Sequence, residues 1–271
     1  MSLFTCPVCG GQLEQQGRSL VCGRKHCYDI ARAGYVNLLM NNSSGSKRHG
    51  DDAAQIQART RFLDGGHYRP LLDALCEAAE GCLENDDCLV DAGCGEGYYT
   101  AGLLRHMRER GVMLRAAGID ISRDALRQAA RRGEDIELAA ASVFRMPIAD
   151  RSADVVLSIF APTAAEEFRR VLNKGGRLIQ AVPLERHLFG LKQAVYDRPQ
   201  LNPPEPPMPE GFRLLDCHEV RFDLTIEGET ITDLFTMTPY VYKTGADDQR
   251  KLAQVERLTT EIEVAVRVLG V

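Results

Sequence analysis

The stretch "CLVDAGCGEGYYTAGLLRHM", residues 88–107, decides the fold. Cys88 to Val90 read as a short buried strand, and Asp91 sits at its end. Glycines follow at 93, 95 and 97, and a helix begins after them. Glycine lets the main chain turn sharply and lets a ligand come close to it. A lone G-x-G-x-G is a weak signal, but three features sharpen this one. The acid precedes the glycines. The Lys-Ser/Thr pair of a phosphate-gripping P-loop is missing. The next apolar segment, "LRAAGIDIS", ends in Asp120, at roughly the interval expected of a ribose-binding acid.

The alternation of strand and helix continues downstream. "SRDALRQAARR" reads as a helix capped by Ser122. "IELAAAS" is a strand with "VFRMPIAD" as its exit loop, and "ADVVLSIF" is a buried strand. "TAAEEFRRVLNKGG" is expected to be a helix closed by Gly175 and Gly176, followed by the strand "RLIQAVP". This pattern predicts an α/β fold: a doubly wound, Rossmann-like sheet that binds ligands at the carboxyl ends of its strands. Asp91, Gly93, Gly95, Asp120, Ser142 and Phe160-Ala161-Pro162 all fall at those ends. Arg123, Arg127, Arg131 and Arg132 read as a solvated helix face.

Upstream, Cys6 and Cys9 are spaced C-x2-C, and Cys22 and His26 are spaced C-x3-H after twelve intervening residues. Two such knuckles supply the four ligands of a tetrahedral structural zinc. Between them, "QLEQQGRSLV" reads as a hairpin turning near Gln16–Gly17. Cys27 competes with His26 as fourth ligand, and the spacing favours His26. "YDIARAGYVNLL" reads as a strand-like continuation that packs on this small β-rich module. The polar run "MNNSSGSKRHGDDAA" then reads as a linker, in which Lys47, Arg48 and His49 are candidate phosphate contacts.

With 271 residues, 44% of them hydrophobic, the chain has room for one large domain and a small module. The expected division is a zinc ribbon at 1–40, a linker and helix at 41–66, and the sheet domain at 67–271. Nine cysteines in a chain without a secretory pattern at its start suggest a reducing, cytoplasmic setting. On that reading Cys76, Cys82, Cys88 and Cys217 are small core residues. The net charge of −5 does not mark a nucleic-acid binder. Its distribution is uneven: residues 1–61 carry +4 and the remainder −9. A basic head on an acidic body allows the head to meet a polyanion.

"VDAGCGEGYYT", "GIDIS", "ASVFRMPIAD" and "LNKGG" resemble the ordered motifs of S-adenosylmethionine-dependent methyltransferases. With the zinc knuckles, "GYVNLL", "ARTRFLDGGHYRPL", "IFAP" and "RHLFGLK", the chain resembles the bacterial 23S rRNA (guanine-N1-)-methyltransferase family to about residue 195. The resemblance implies methyl transfer to a guanine N1 in a hairpin loop of 23S rRNA. It implies zinc on Cys6, Cys9, Cys22 and His26. It sets S-adenosylmethionine against Tyr68, Gly95, Glu96 and His187, with Asp120 on the ribose. Phe160 is then a candidate platform for the base, and Arg18, Arg24, Lys25 and Arg32 are candidate phosphate contacts. Glu166 and Glu167 are the carboxylates nearest in chain order, and no general base is assigned. A homodimer is a further expectation, and no membrane partner is expected.

The tail is less specific. "YDRPQLNPPEPPMPEGF" excludes regular structure. "EVRFDLTI" reads as a strand, "GETITDLFTMTP" as a helix from Glu229, and "TTEIEVAVRVLGV" as a closing antiparallel strand. Residues 185–244 are the expected substrate lid. Two other functions fit the same motifs: a small-molecule methyltransferase with a structural zinc, and a non-enzymatic binding protein. The basic ribbon argues against the first, and the glycine loop with Asp120 against the second.

Overall fold

The computed structural model describes residues 1–40, 50–242, 244–245 and 251–271. Lys47, Arg48 and His49 therefore lie outside the described residues. Near the start, β1 (Leu13–Gln16), β2 (Ser19–Cys22) and β3 (Cys27–Asp29) make a small antiparallel sheet whose first hairpin turns at Gly17-Arg18. Next, β4 (Tyr35–Asn37) leaves the ribbon and pairs in parallel with β7 (Ile136–Ala140). Only the first part of "YDIARAGYVNLL" thus continues the ribbon.

The large sheet has eight strands in the order β10-β11-β9-β8-β5-β6-β7-β4. Here β5 is Cys88–Ala92, β6 Arg115–Asp120, β8 Ala153–Ile159, β9 Leu172–Pro183, β10 Arg213–Glu227 and β11 Arg257–Gly270. The six strands from β4 to β9 run parallel, and β11 lies antiparallel between β9 and β10. The helices are α1 (Ala53–Asp64), α2 (Arg69–Glu80), α3 (Tyr98–Glu109), α4 (Arg123–Ala129), α5 (Ala165–Val171), α6 (Phe189–Val195) and α7 (Glu229–Thr236). Ser122 caps α4, accepting a hydrogen bond from the Ala125 N–H. Among the described residues, no helix is long and apolar enough to cross a membrane.

A parallel sheet needs both faces covered. On one face, α2, α3, α6 and α7 bury Leu75, Leu103, Leu191 and Leu234 against Leu89, Leu157 and Ile262. On the other face, α5 supplies Phe168, but the β7–β8 crossover contains no helix. The ribbon fills that gap. Its Phe4, Leu13 and Leu20 join Val90, Ala117, Ile119 and Ile148 in one buried cluster. Phe4 is 1% exposed and bridges to Ile148, the Thr5 N–H donates to the Pro147 carbonyl at 2.8 Å, and the Leu3 N–H donates to Glu137 at 2.9 Å. The ribbon is therefore a wall of the core rather than an appendage.

Four local expectations change. The helix at 163–176 stops at Val171, because Leu172 is extended and pairs with Ala153, so "LNKGG" belongs to β9. The strand expected at 219–226 extends over Arg213–Glu227, held along its length by β11. Cys217 is exposed on that edge strand rather than buried. Arg132 is not on a solvated face: its side chain is 15% exposed and pairs with Glu96 and Asp64.

Because Phe4 fills a core shared by ribbon and sheet, Phe4→Ala should cost about 3–5 kcal/mol. Urea unfolding should show one shifted transition for the whole chain; an unaltered main transition would mean that the ribbon folds apart from it.

Candidate active site and metal centre

The order of strands reverses at β5, which lies between β6 and β8. A crevice therefore opens at the carboxyl ends of these strands. Asp91 is the fourth residue of β5 and is 2% exposed. Its Oδ2 accepts a hydrogen bond from the Thr100 hydroxyl on α3, and its Oδ1 is buried without a partner among the described residues. Burial pushes its carboxyl up to about 7, a shift reinforced by the charge of Asp120 and opposed by Thr100.

The loop after β5 is shaped by two glycines in left-handed conformation. Gly93 has φ +89°, and a Cβ there would stand 2.6 Å from that of Ala161, so the chains touch through main chain. Gly95 has φ +54°, and its N–H donates to Asp120 Oδ2 at 2.9 Å. Asp120 Oδ1 accepts from the Ser122 N–H at 2.7 Å. Burial raises the Asp120 carboxyl above the usual range, against these two hydrogen bonds. The carboxylate of Glu96 is buried and held by Arg132, so Glu96 offers the crevice its main chain. Ser142 lies beyond β7, its hydroxyl accepting from the Phe144 N–H at 3.2 Å.

Three rings stand together at the end of β8. Phe160 is 44% exposed and holds φ +51°, a strained setting for a non-glycine residue. It stacks on His187 with centroids 5.7 Å apart and planes 22° apart. The Tyr68 ring, buried at the start of α2, lies 6.5 Å from Phe160 and 6.3 Å from His187. His187 is 7% exposed, and burial pushes its pKa down to about 3, so the ring is neutral. Its Nδ1 accepts from the Glu263 N–H at 3.2 Å, which leaves the ring proton on Nε2. Glu167 is engaged by Arg170 and by the Met146 N–H, while Glu166 is exposed on α5.

At the ribbon, the ligand atoms of Cys6, Cys9, Cys22 and His26 lie within 4.8 Å of one another. The Sγ atoms of Cys6 and Cys22 each stand 3.4 Å from His26 Nδ1, and Cys9 Sγ stands 3.6 Å from Cys22 Sγ. Zinc–ligand bonds of about 2.0–2.3 Å in a tetrahedron place neighbouring ligands roughly 3.4–3.8 Å apart. The cluster fits a zinc ion. Cys27 is exposed on β3 and stands outside the cluster. The crevice likewise fits a cationic nucleoside such as S-adenosylmethionine. It has an orphaned Asp91 oxygen for an ammonium, a second acid at Asp120, and open space above Gly95.

Sequence reasoning missed Arg132, Arg59 and Tyr99. Arg59 on α1 pairs with Asp51 at 2.5 Å, and the buried Tyr99 hydroxyl has no partner among the described residues. Helical spacing alone carries no signal for either arginine: Arg132 pairs with Glu96 thirty-six residues away, and Arg59 is oriented by the carbonyl of Met237 as well as by Asp51 just before α1.

Known proteins bear on both halves. The zinc-ribbon family described as "RlmA, N-terminal" matches residues 4–47, and the family described as "Methyltransferase domain" matches residues 90–180. A Bacillus subtilis (strain 168) protein, YxjB, assigned by name to the 23S rRNA (guanine-N(1)-)-methyltransferases, is 32% identical over 98% of this chain and 96% of its own. The 23S rRNA (guanine(748)-N(1))-methyltransferase of Streptomyces fradiae is 36% identical over 70% of this chain and 66% of its own. Among solved structures, the YcgJ protein of Bacillus subtilis overlays 73% of the chain and 96% of its own with a TM-score of 0.48 at 13% identity. With ribbon, crevice and tail all inside one full-length likeness, the chain belongs to the 23S rRNA (guanine-N1-)-methyltransferase family.

Proposed function

We propose that the protein transfers a methyl group from S-adenosylmethionine to N1 of a guanine in a hairpin loop of 23S rRNA. The observation that carries this reading is the full-length likeness to YxjB, which includes the ribbon as well as the sheet domain. S-adenosylmethionine supplies a methyl group already activated on a sulfonium. The chain's own task is to hold two reactants in line and keep water out.

In this reading Asp91 takes the donor's ammonium on its orphaned oxygen, and Asp120 takes the ribose with its remaining lone pairs. Gly95 and the main chain of Glu96 let the donor lie against bare backbone, Gly93 lets the loop close on Ala161, and Ser142 borders the adenine end. Tyr68 and His187 wall the transfer end, where they pack beside Phe160. Phe160 presents its exposed face to the target base, which must leave any duplex to be reached. His187 keeps one proton, on Nε2, so it donates a hydrogen bond and does not accept the guanine N1 proton. Glu167 is removed as a general base by its pairing with Arg170. Within residues 185–244, the parts that cap the mouth are the start of α6 and helix α7, because β10 is committed to the sheet.

Zinc on Cys6, Cys9, Cys22 and His26 would stiffen the ribbon, and four protein ligands leave no open position for catalysis. Arg18, Arg24, Lys25 and Arg32 are exposed on or beside the ribbon and are the phosphate contacts of this reading.

The reading is tested by incubating the protein with labelled donor and unmethylated large-subunit RNA, then mapping modification by reverse-transcription stop. A stop in a hairpin loop is expected; label found only in small metabolites would overturn the RNA assignment. Replacing the four ribbon cations should weaken RNA binding and flatten its salt dependence by roughly 3–4 in logarithmic slope. Donor affinity should be untouched; an unchanged slope would make the ribbon purely structural. His26→Ala should release zinc, measured by atomic emission, whereas Cys27→Ser should retain one equivalent.

The pH dependence follows from Asp91. Its raised pKa means that the folded, donor-free protein binds this proton more tightly than the unfolded chain does. Stability is therefore fullest at low pH and declines as pH rises toward about 7. Donor affinity moves the opposite way, because an ammonium requires the ionised acid. Calorimetry should show affinity rising by up to roughly tenfold per pH unit below the pKa and levelling above it. A flat profile would detach Asp91 from the donor.

A further inference from the structure

The residues so far placed around the donor account for its ammonium, its ribose and its transfer end, but not for its α-carboxylate. The crevice is an acidic place for such a group. Asp91 and Asp120 both line it; the charge of Asp120 makes Asp91 harder to ionise, and that of Asp51 does the same to Asp120. A carboxylate can settle there only against a cation. Arg132, the nearest guanidinium on the α3 side, is saturated by Glu96 and Asp64.

Arg59 meets the need from the opposite wall. A Cβ built on Gly95 would find a single neighbour within 4 Å, the Nη1 of Arg59 at 3.8 Å. Arg59 is thus the group that stands over the Gly95 main chain. The Tyr99 hydroxyl on α3 is buried and lacks a hydrogen-bond partner among the described residues. Burial lifts the Tyr99 phenol well above its ordinary pKa, and the Arg59 charge pulls in the other direction, so the two groups share one field. A neutral phenol and a guanidinium are both hydrogen-bond donors, and of the two only the guanidinium is matched to an acid, Asp51.

Arg59 is also held in position. Helix α1 is anchored at its start by a capping box between Asp52 and Gln55, and near its end by Arg61 on Asp233 at 2.5 Å. The Nη2 of Arg59 donates to the Met237 carbonyl at 2.9 Å, which orients the guanidinium. Its Nη1 pairs with Asp51 at 2.5 Å, with both side chains more than a quarter exposed. That pairing shows that the guanidinium can take a carboxylate in this setting. Its exposure makes the resident pair weak enough to be replaced.

We infer that Arg59 and the Tyr99 hydroxyl bind the donor's α-carboxylate above Gly95, with Asp51 as the acid that occupies Arg59 otherwise. The inference rests on the S-adenosylmethionine reading and adds the one anionic subsite that reading leaves unassigned. It also gives the segment between ribbon and sheet a role: through Arg59, helix α1 becomes a wall of the donor site.

The test compares two ligands by calorimetry. S-adenosylhomocysteine carries the carboxylate, and 5′-methylthioadenosine lacks the whole amino-acid end. Arg59→Ala should weaken S-adenosylhomocysteine on the order of 10- to 100-fold while changing 5′-methylthioadenosine by less than about twofold. Arg59→Lys should retain part of the affinity. Tyr99→Phe, which removes only a hydroxyl, should cost S-adenosylhomocysteine a few-fold, roughly the worth of one hydrogen bond, and leave 5′-methylthioadenosine unchanged. Equal weakening of both ligands by Arg59→Ala would make Arg59 a support for α1 and α7 only. Undiminished S-adenosylhomocysteine binding in both Arg59→Ala and Tyr99→Phe would likewise overturn the subsite. If the wild-type protein bound neither ligand, the donor reading itself would fail, a result distinct from either.

Discussion

The carboxylate of Asp120 joins the pieces on which the crevice depends. One oxygen accepts from Gly95 in the loop after β5, and the other accepts from Ser122 at the cap of α4. Two strand ends, a loop and a helix start are thereby fixed to one acid. The arrangement is costly, because burial makes both acids harder to ionise, and the charges of Asp120 on Asp91 and of Asp51 on Asp120 add to it. A donor-free crevice is therefore under electrostatic tension. A ligand carrying positive charge relieves it, so the groups that make the empty site expensive are those that make the filled one favourable.

The ribbon solves a different problem. A doubly wound sheet usually covers each face with crossover helices, and here the β7–β8 crossover has none. Phe4, Leu13 and Leu20 take that place against the back of β5, β6 and β7. Zinc would hold the ribbon rigid, so a metal-stiffened module can act as a structural plate for the sheet. The same module carries exposed cations at the surface of an otherwise acidic chain. One small element thus serves the core with one side and offers positive charge with the other.

Much of this was legible in the sequence because it is local. The glycine run after Asp91, the Ser122 cap and each knuckle are set by neighbouring residues, and the knuckle-to-knuckle and Asp91-to-Asp120 intervals are set by one hairpin and one strand–helix–strand unit. They fixed the sheet's central part and the metal ligands' grouping. What stayed hidden depends on distant partners. Arg132 has the spacing of a solvated face, and it turns inward because Glu96, thirty-six residues away, needs a counter-ion in a buried loop. "LNKGG" has the look of a helix end, and pairing with Ala153 pulls it into β9. Cys217, read as a core residue, lies in the exposed first half of the edge strand β10, between Asp216 and His218. For Arg132 and "LNKGG" a tertiary partner overrode a local preference; for Cys217 the cover expected of a core residue is missing.

Phe160 shows how these strands of argument meet. An aromatic residue at positive φ is disfavoured, and here it also leaves nearly half of its surface in solvent. Neither property helps folding. The strained conformation is over-determined by its surroundings: its N–H donates to Ala181 on β9, and its ring lies on a His187 fixed by Glu263 of β11. The neutral state of His187 matters to this, since a protonated imidazole would carry charge into a buried site beside Lys192. The antiparallel strand β11 therefore reaches the catalytic mouth through a single histidine. The strand next to the sheet's edge thus holds the histidine on which the ring that would meet the substrate is stacked. A flat, half-exposed ring at the end of β8 is what stacking an unpaired base requires.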